Sequence, residues 1–384
     1  EATKQPHRFH LIMTSRIVAR AVAVLSAFVL WSAAHAGLAP VHSWRTLPVY
    51  LHSSNRSGMW NETALSILAK YPMVVIEKWH CQGALSSEPY APPAGEPCAQ
   101  LTQEERMIRQ CEVLKQRAPK LSCIFYMNAA IDFEWYQLHQ TMLRNEDAAR
   151  LPDWALRYQN GSFVELTSRQ TFNFANQSMA DEFAATCSRA IATGSVDGCF
   201  VDRSDPVWQT DNWGRGTPPG DFISLADYTK QKIRALRAMQ AAAGAGPVIM
   251  NCHSCIDNRQ LPPIGAESYT HAQNIEWFRN TNDSINDMLF LRKHAKLVRA
   301  HGDNKNFTDL VGAFLIAAGD NCFFGYGGFW EAPAWMNFYD VPIGDPQGEA
   351  IYERTTGIWY RDFEHVSVTF DTGTNRSTIV NRRK

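Results

Sequence analysis

From residue 47 onward the chain repeats one alternation: a short β-rich apolar run, then a stretch with helical spacing. Strand-like runs start near 47, 73, 121, 197, 246, 265, 297 and 322. Between them lie helical patterns with their own punctuation. "NETALSILAK" opens on Asn61, a capping residue, and "TQEERMIRQCEVLKQRAP" opens on a Thr102/Glu105 capping box and stops at Pro119. Strands that alternate with helices and are apolar on both faces belong to a parallel sheet. Eight such units over about 280 residues match a closed (β/α)8 barrel, usually ~250 residues long. An open doubly wound sheet is the competitor, but no G-x-G-x-x-G turn follows the first strand.

The expected organisation is therefore α/β, a (β/α)8 TIM barrel over 37–354 with a short C-terminal β-hairpin over 355–384. The tail reads as alternation in "GIWYRDFEHVSVTFD", with "TGTN" as the turn. Residues 130–177 have no clear period and read as an elaborate loop with short elements. At the other end, Arg16 and Arg20, the run "AVAVLSAFVLWSA" and "AHA" at 34–36 form a signal-peptide pattern starting at Met13 and cleaved after Ala36. Residues 1–12 would then be upstream sequence. The run is shorter than the ~20 residues of a membrane span.

Composition narrows the function. Lys plus Arg number 37 against 38 Asp plus Glu, a net charge of −1, so no excess of basic residues is available for nucleic acid or anionic lipid. Asn-x-Ser/Thr acceptors at Asn55, Asn61, Asn160, Asn176, Asn282, Asn306 and Asn375, with nine cysteines, fit an extracellular protein. The odd count leaves at least one cysteine without a partner in the chain. "NCHSC" (Cys252, His253, Cys255) has no second ligand pair for zinc and reads as disulfide or structural cysteines.

In such barrels the reactive groups stand at the C-terminal strand ends. The second run ends in Glu77, Lys78, Trp79 and His80; the third in Tyr126 and Asn128; the fourth in Asp202, with Asp205 beyond it. The fifth ends in Asn251 and His253, the sixth in Glu267 and Tyr269, the seventh in His301, and the eighth runs into Tyr326, Trp330 and Trp335. Carboxylates among amides, imidazoles and aromatics are what glycoside hydrolysis requires: one acid, one nucleophile or base, and faces and donors for sugar. No metal or organic cofactor is needed for that chemistry.

Each residue also has a plainer reading. Asp202 fits a turn cap, Asp205 a turn before Pro206, Glu267 a loop salt bridge, and Glu77 an ion pair with Lys78. Glu276 in "NIEWF" reads as a structural residue at a helix start. Trp330 and Trp335 also fit simple packing.

"VDGCFVDRSD", "GPVIMNC", "GAESY", "AAGDNCFFGYG" and "YRDFEHVSVTFD" resemble, in order and spacing over about 45–380, the TIM-barrel hypothetical glycosyl hydrolase families related to the endo-α-1,4-polygalactosaminidase group. Asp197-Gly198 through Asp202 match that group's "DG-x-x-x-D" strand, and Tyr360 to Phe363 match its Arg-Phe-rich tail. The resemblance implies a carboxylate pair from the fourth and sixth strands, here Asp202 as nucleophile or base and Glu267 as acid. Glu77, Trp79, Tyr126, Asn128, Asp205, Asn251, Tyr269, His301, Tyr326 and Trp330 are the expected sugar-binding residues. The expectation is a secreted glycosidase acting on a carbohydrate, without cofactor or metal. Two rivals remain: a catalytically silent carbohydrate-binding barrel, and a metal-dependent hydrolase using Glu77, His80, Asp202 and His301.

Overall fold

In a computed structural model, the described residues are 37–83, 98–144, 154–158, 162–166, 168–204, 225–251, 272–302, 306–327, 330 and 332–382. The signal-peptide segment, Asn160, Asp205, Cys252, His253, Cys255, Glu267 and Tyr269 lie outside them.

Eight strands form one parallel sheet: β1 (Leu51–Ser53), β2 (Met73–Ile76), β3 (Ser122–Asn128), β6 (Gly198–Asp202), β7 (Val248–Asn251), β8 (Ala272–Ile275), β9 (Leu297–Gly302) and β10 (Cys322–Tyr326). A two-stranded antiparallel ribbon, β4 (Glu165–Leu166) and β5 (Arg169–Gln170), stands apart from them. The sheet closes on itself where Val49 pairs with Phe324: Tyr50 N donates to Phe324 O at 2.9 Å and Phe324 N to Pro48 O at 2.8 Å. This is the expected barrel. One strand is corrected. The sixth strand of the sheet is Ala272–Ile275, not 265–269, because "AQNI" pairs with both β7 and β9.

The described helices are α1 (Glu62–Leu68), α2 (Gln103–Arg117), α3 (Gln137–Arg144), α4 (Gln177–Ala192), α5 (Leu225–Ala243), α6 (Asn282–His294) and α7 (Phe307–Ala317). Local sequence sets their ends. Asn61, Asn176 and Asn306 each cap a helix through the side-chain oxygen. The Thr102/Glu105 box forms in both directions. Gly194 and Gly244, past the ends of α4 and α5, hold φ of +77° and +61°. Three of the seven acceptor asparagines thus also serve as helix caps.

The tail is larger than a hairpin. β11 (Ile351–Glu353), β12 (Ile358–Asp362), β13 (Val366–Asp371) and β14 (Arg376–Asn381) make a four-stranded antiparallel sheet laid on α7. That placement explains why α7 is apolar all round, with every residue from Asp309 to Ala317 buried: barrel on one side, sheet on the other. Arg361, 5% exposed, donates to Leu315 O at 2.8 Å, Ile316 O at 3.3 Å and Ala318 O at 2.5 Å, satisfying the orphan carbonyls at the end of α7. Asp309 in its first turn accepts Ser377 N at 2.7 Å.

Three disulfides join Cys81–Cys98, Cys111–Cys123 and Cys187–Cys199, while Cys322 is free and buried. Asp197, first residue of the "DG" motif, sits at the opposite end of β6 from Asp202. It accepts Leu38 N at 2.8 Å and Cys123 N at 2.7 Å and pairs with Lys115 at 2.6 Å. Its role is to fasten the closed end of the barrel, where such groups serve stability.

Candidate active site

Side chains alternate along a strand, so residues two apart point into the barrel at successive heights. Tyr126 and Phe200 share one height and Asn128 and Asp202 the next, by the register of β3 against β6. The lower layer is a stack. The Arg299 guanidinium lies between the Tyr50 ring (3.8 Å) and the Phe200 ring (4.6 Å), and Phe200 stacks on Tyr126 at 5.8 Å. Gly325 makes room for Tyr50, since a Cβ there would stand 2.3 Å from its ring.

On this floor Asp202 receives four hydrogen bonds. Tyr126 OH (2.6 Å) and Asn128 Nδ2 (2.9 Å) donate to Oδ2; Asn251 Nδ2 (2.8 Å) and Arg203 N (2.9 Å) donate to Oδ1. The donors are themselves fixed. Asn128 Oδ1 accepts Ala130 N and Ile131 N, so its amide nitrogen faces Asp202. Burial, then the charges of Asp202 and Glu77, raise the Tyr126 hydroxyl well above its ordinary value and keep it a donor. Asp202 does cap the turn through Arg203 N, but three of its four bonds come from elsewhere. Arg203 itself is held at φ +52°, an uncommon conformation for a residue with a side chain. Lys232 secures it by donating to its carbonyl at 3.1 Å.

Asn251 Nδ2 also donates to Glu276 Oε2 at 2.6 Å, and Asn274 Nδ2 fixes Asn251 by donating to its Oδ1 at 2.9 Å. One amide nitrogen therefore bridges two carboxylates. Their nearest oxygens are separated by at most the two bonds laid end to end, about 5.4 Å. Glu276, expected at a helix start, instead directly follows β8 at a strand end, where Asn251 reaches it from the neighbouring β7.

Around the pair stand the other expected residues. Glu77 is buried, with one oxygen on Lys78 Nζ and the other on Trp79 N (3.2 Å), so the plainer ion-pair reading holds for it. Burial raises its carboxyl despite Lys78. Lys78 in turn lies 4.3 Å over the Tyr126 ring. Trp79 packs at 5.2 Å against Trp135, from the long segment after β3. Tyr326 ends β10 against Phe307, and Trp330, 36% exposed, lies against both His52 and His301.

His301 takes the Tyr50 hydroxyl at Nδ1 (2.9 Å). Burial and then the charge of Arg299 hold it down at about 3, so it is neutral. His80 is elsewhere: it stacks on Trp60 and takes Asn55 N at Nδ1 (3.1 Å). It does not converge with His301, which removes the geometry of the proposed metal set. Among the described residues no group of three His, Cys, Asp or Glu side chains is arranged to hold a metal ion.

Sequence reasoning missed His52, Asn274, Arg299 and the position of Glu276. The signal for Arg299 was available: an arginine two residues before His301, inside an apolar run, must point into the barrel with it.

No curated protein matches the chain. Among solved structures, a trehalose-6-phosphate hydrolase from Bacillus licheniformis aligns with a TM-score of 0.47 at 9% identity, covering 74% of this chain and 65% of that one. An α-galactosidase from Lactobacillus brevis gives 0.49 at 11%, covering 84% and 46%. An α-amylase from Geobacillus thermoleovorans gives 0.48 at 10%, covering 85% and 86%. The chain thus spans less than two thirds of the first two, and likenesses this distant carry no conclusion about activity. The sequence profile is different in kind: that of hypothetical glycosyl hydrolase family 15 matches residues 115–367, from the end of α2 into β13. The chain belongs to hypothetical glycosyl hydrolase family 15.

Proposed function

We propose that the protein is a secreted glycosidase that cleaves an oligo- or polysaccharide with retention, using Asp202 as nucleophile and Glu276 as acid and base. The observation that carries this reading is Asn251 Nδ2, hydrogen-bonded to both carboxylates. A separation of at most about 5.4 Å fits the ~5–5.5 Å of retaining enzymes and leaves no room for the water of an inverting one, which needs ~6.5–9.5 Å.

Asp202 is held as an acceptor by four donors, so an oxygen lone pair can attack the anomeric carbon as Glu276 gives its proton to the departing oxygen. Glu276 then takes a proton from water, whose oxygen displaces Asp202. Asn128, Asn251, His301, Trp79, Tyr326 and Trp330 bind the sugar. Glu267, Asp205 and Tyr269 lie outside the described residues, and the acid role passes to Glu276 because it shares a donor with Asp202. Secretion is supported by the signal-peptide pattern at 13–36 and by three disulfides. None of the described helices is long and apolar enough to cross a membrane.

The test is the anomer first formed from a hydrolysed glycan, followed by proton NMR, with Asp202→Asn and Glu276→Gln as controls. Retention, with turnover down by about 10³-fold or more in Asp202→Asn, is the expected result. An inverted product rejects the retaining pair, and sugar binding without turnover leaves the binding barrel.

A further inference from the structure

The register of β8 against β9 sets a buried cation one layer below the acid. Asn274 pairs with Arg299 and Ile275 with Ala300, so Glu276, the next residue, stands level with His301. Side chains alternate along a strand, so Asn274 and Arg299 share one inward layer and Glu276 and His301 the next. Arg299 is fully buried between the Tyr50 and Phe200 rings. Its Nη2 meets His52 Nδ1 at 3.2 Å, and its Nε and Nη1 have no hydrogen-bond partner among the described residues. Burial lowers its pKa, but a guanidinium keeps its proton in a protein.

A cation held between aromatic rings, away from water, acts through space rather than through contact. The carboxylate it acts on is Glu276. Burial is the largest influence on the pKa values of Arg299, His301 and Tyr50, and among the further influences the charge of Glu276 raises all three.

The other titratable groups around Glu276, among the described residues, leave a simple balance. From β6, Asp202 shares the Asn251 donor with it. After β2, Glu77 is paired with Lys78. From β1 and β9, His52 and His301 are neutral, because burial, then the charge of Arg299, holds both imidazoles down. The Tyr50 and Tyr126 hydroxyls keep their protons, raised above all by burial. One anion, Asp202, and one cation, Arg299, are left to act on the acid from different sides.

We propose that Arg299 is a positioning residue for the proton of Glu276, a buried counter-charge that offsets Asp202 and leaves the acid able both to give a proton and to take one back. The inference rests on the glycosidase reading of this cleft and deepens it. Asp202 alone would favour the protonated form and make Glu276 a poor base for the second step. A guanidinium in direct contact would hold Glu276 ionised and cost the first step. One layer's remove avoids both.

The experiment needs no substrate. Carbon-13 NMR follows the glutamate side-chain carboxyls of the whole chain through a pH titration, for wild type, Arg299→Met and Arg299→Lys, with the Glu276 signal identified by its loss in Glu276→Gln. Two residues along a strand and one strand across put the layers ~8 Å apart, so losing the charge in Arg299→Met should raise the Glu276 pKa by about one unit or more. Arg299→Lys keeps the charge and should stay within about half a unit of wild type. Circular dichroism establishes folding. A second variant leaves the aromatic stack alone: Asp202→Asn removes the anion, and with Arg299 still in place Glu276 should fall below its ordinary ~4.3. An unmoved Glu276 in Arg299→Met, an equal rise in Arg299→Lys, or a Glu276 that stays at or above its ordinary value in Asp202→Asn overturns the inference. On a glycan that wild type hydrolyses, the basic limb of kcat/KM should move up with the Glu276 pKa in Arg299→Met. A Glu276 that answers to Arg299 while Glu276→Gln still hydrolyses glycans sinks the proposed chemistry and leaves the charge relation. A Glu276 indifferent to Arg299, in an enzyme that Glu276→Gln silences, does the reverse.

Discussion

Replacing Asn251 by alanine is the sharpest probe of the carboxylate pair, because it removes the shared donor and touches neither acid. Two bonds to carboxylates are lost, of 2.8 and 2.6 Å. Each such bond contributes about 1.5–3 kcal/mol net, so the arrangement loses about 3 kcal/mol or more, roughly two orders of magnitude in kcat/KM. The assay is kcat/KM for wild type and Asn251→Ala, with a thermal melt to establish folding. A loss under about tenfold refutes the view that one amide couples the two acids.

Three other outcomes follow from the same structure. Arg361→Ala strips three carbonyls at the end of α7 of a buried donor and should lower stability by about 3 kcal/mol, read as a drop in urea midpoint with unchanged slope. Replacing Cys187 and Cys199 by serine, which frees β6 from α4, should cost about 3 kcal/mol for a short loop and lower the melting temperature without changing KM. His139 Nδ1 donates to Asp132 Oδ2 at 2.5 Å: burial opposes its charge, but Asp132 and then Glu134 outweigh burial, and its pKa is raised. A raised folded value stabilises below the unfolded pKa of ~6.5 and is lost as pH rises through the folded value. Urea midpoints should therefore fall across that range, and Asp132→Asn should flatten the fall.

The barrel was legible because its determinants are local: apolar runs, capping residues and glycines past helix ends. Asp202 and Asn251 were legible because each ends an unmistakable strand. Glu276 was not. "AQNI" has two polar residues of four, Gln273 and Asn274, both buried, with Asn274 bonded to Asn251 rather than to water. That polar content hid the strand, so the more β-like "GAESY" was taken in its place. Arg299 and His52 were missed for a related reason. Nothing in a single strand says that an arginine on one wall will sit between aromatic rings contributed by two others. The tail was read two strands short: Ile351, Tyr352 and Glu353 are all exposed and carry no alternation, and β12 and β13 run together as one alternating stretch with only a short turn between Asp362 and Val366.

The seam where Val49 meets Phe324 joins segments about 275 residues apart, so the barrel cannot close until its last strand has been made. Two disulfides, by contrast, span 12 residues each, Cys111–Cys123 and Cys187–Cys199, and each ties a helix to the strand that follows it. Those links can form while the chain is still being extended, giving a growing open sheet two covalently locked helix–strand units. The unpaired edge of that sheet is the hazard of such an intermediate. Maturation then has a built-in order, with local oxidation early and ring closure last. A pulse of oxidant during synthesis should trap both short crosslinks in chains truncated before Leu297.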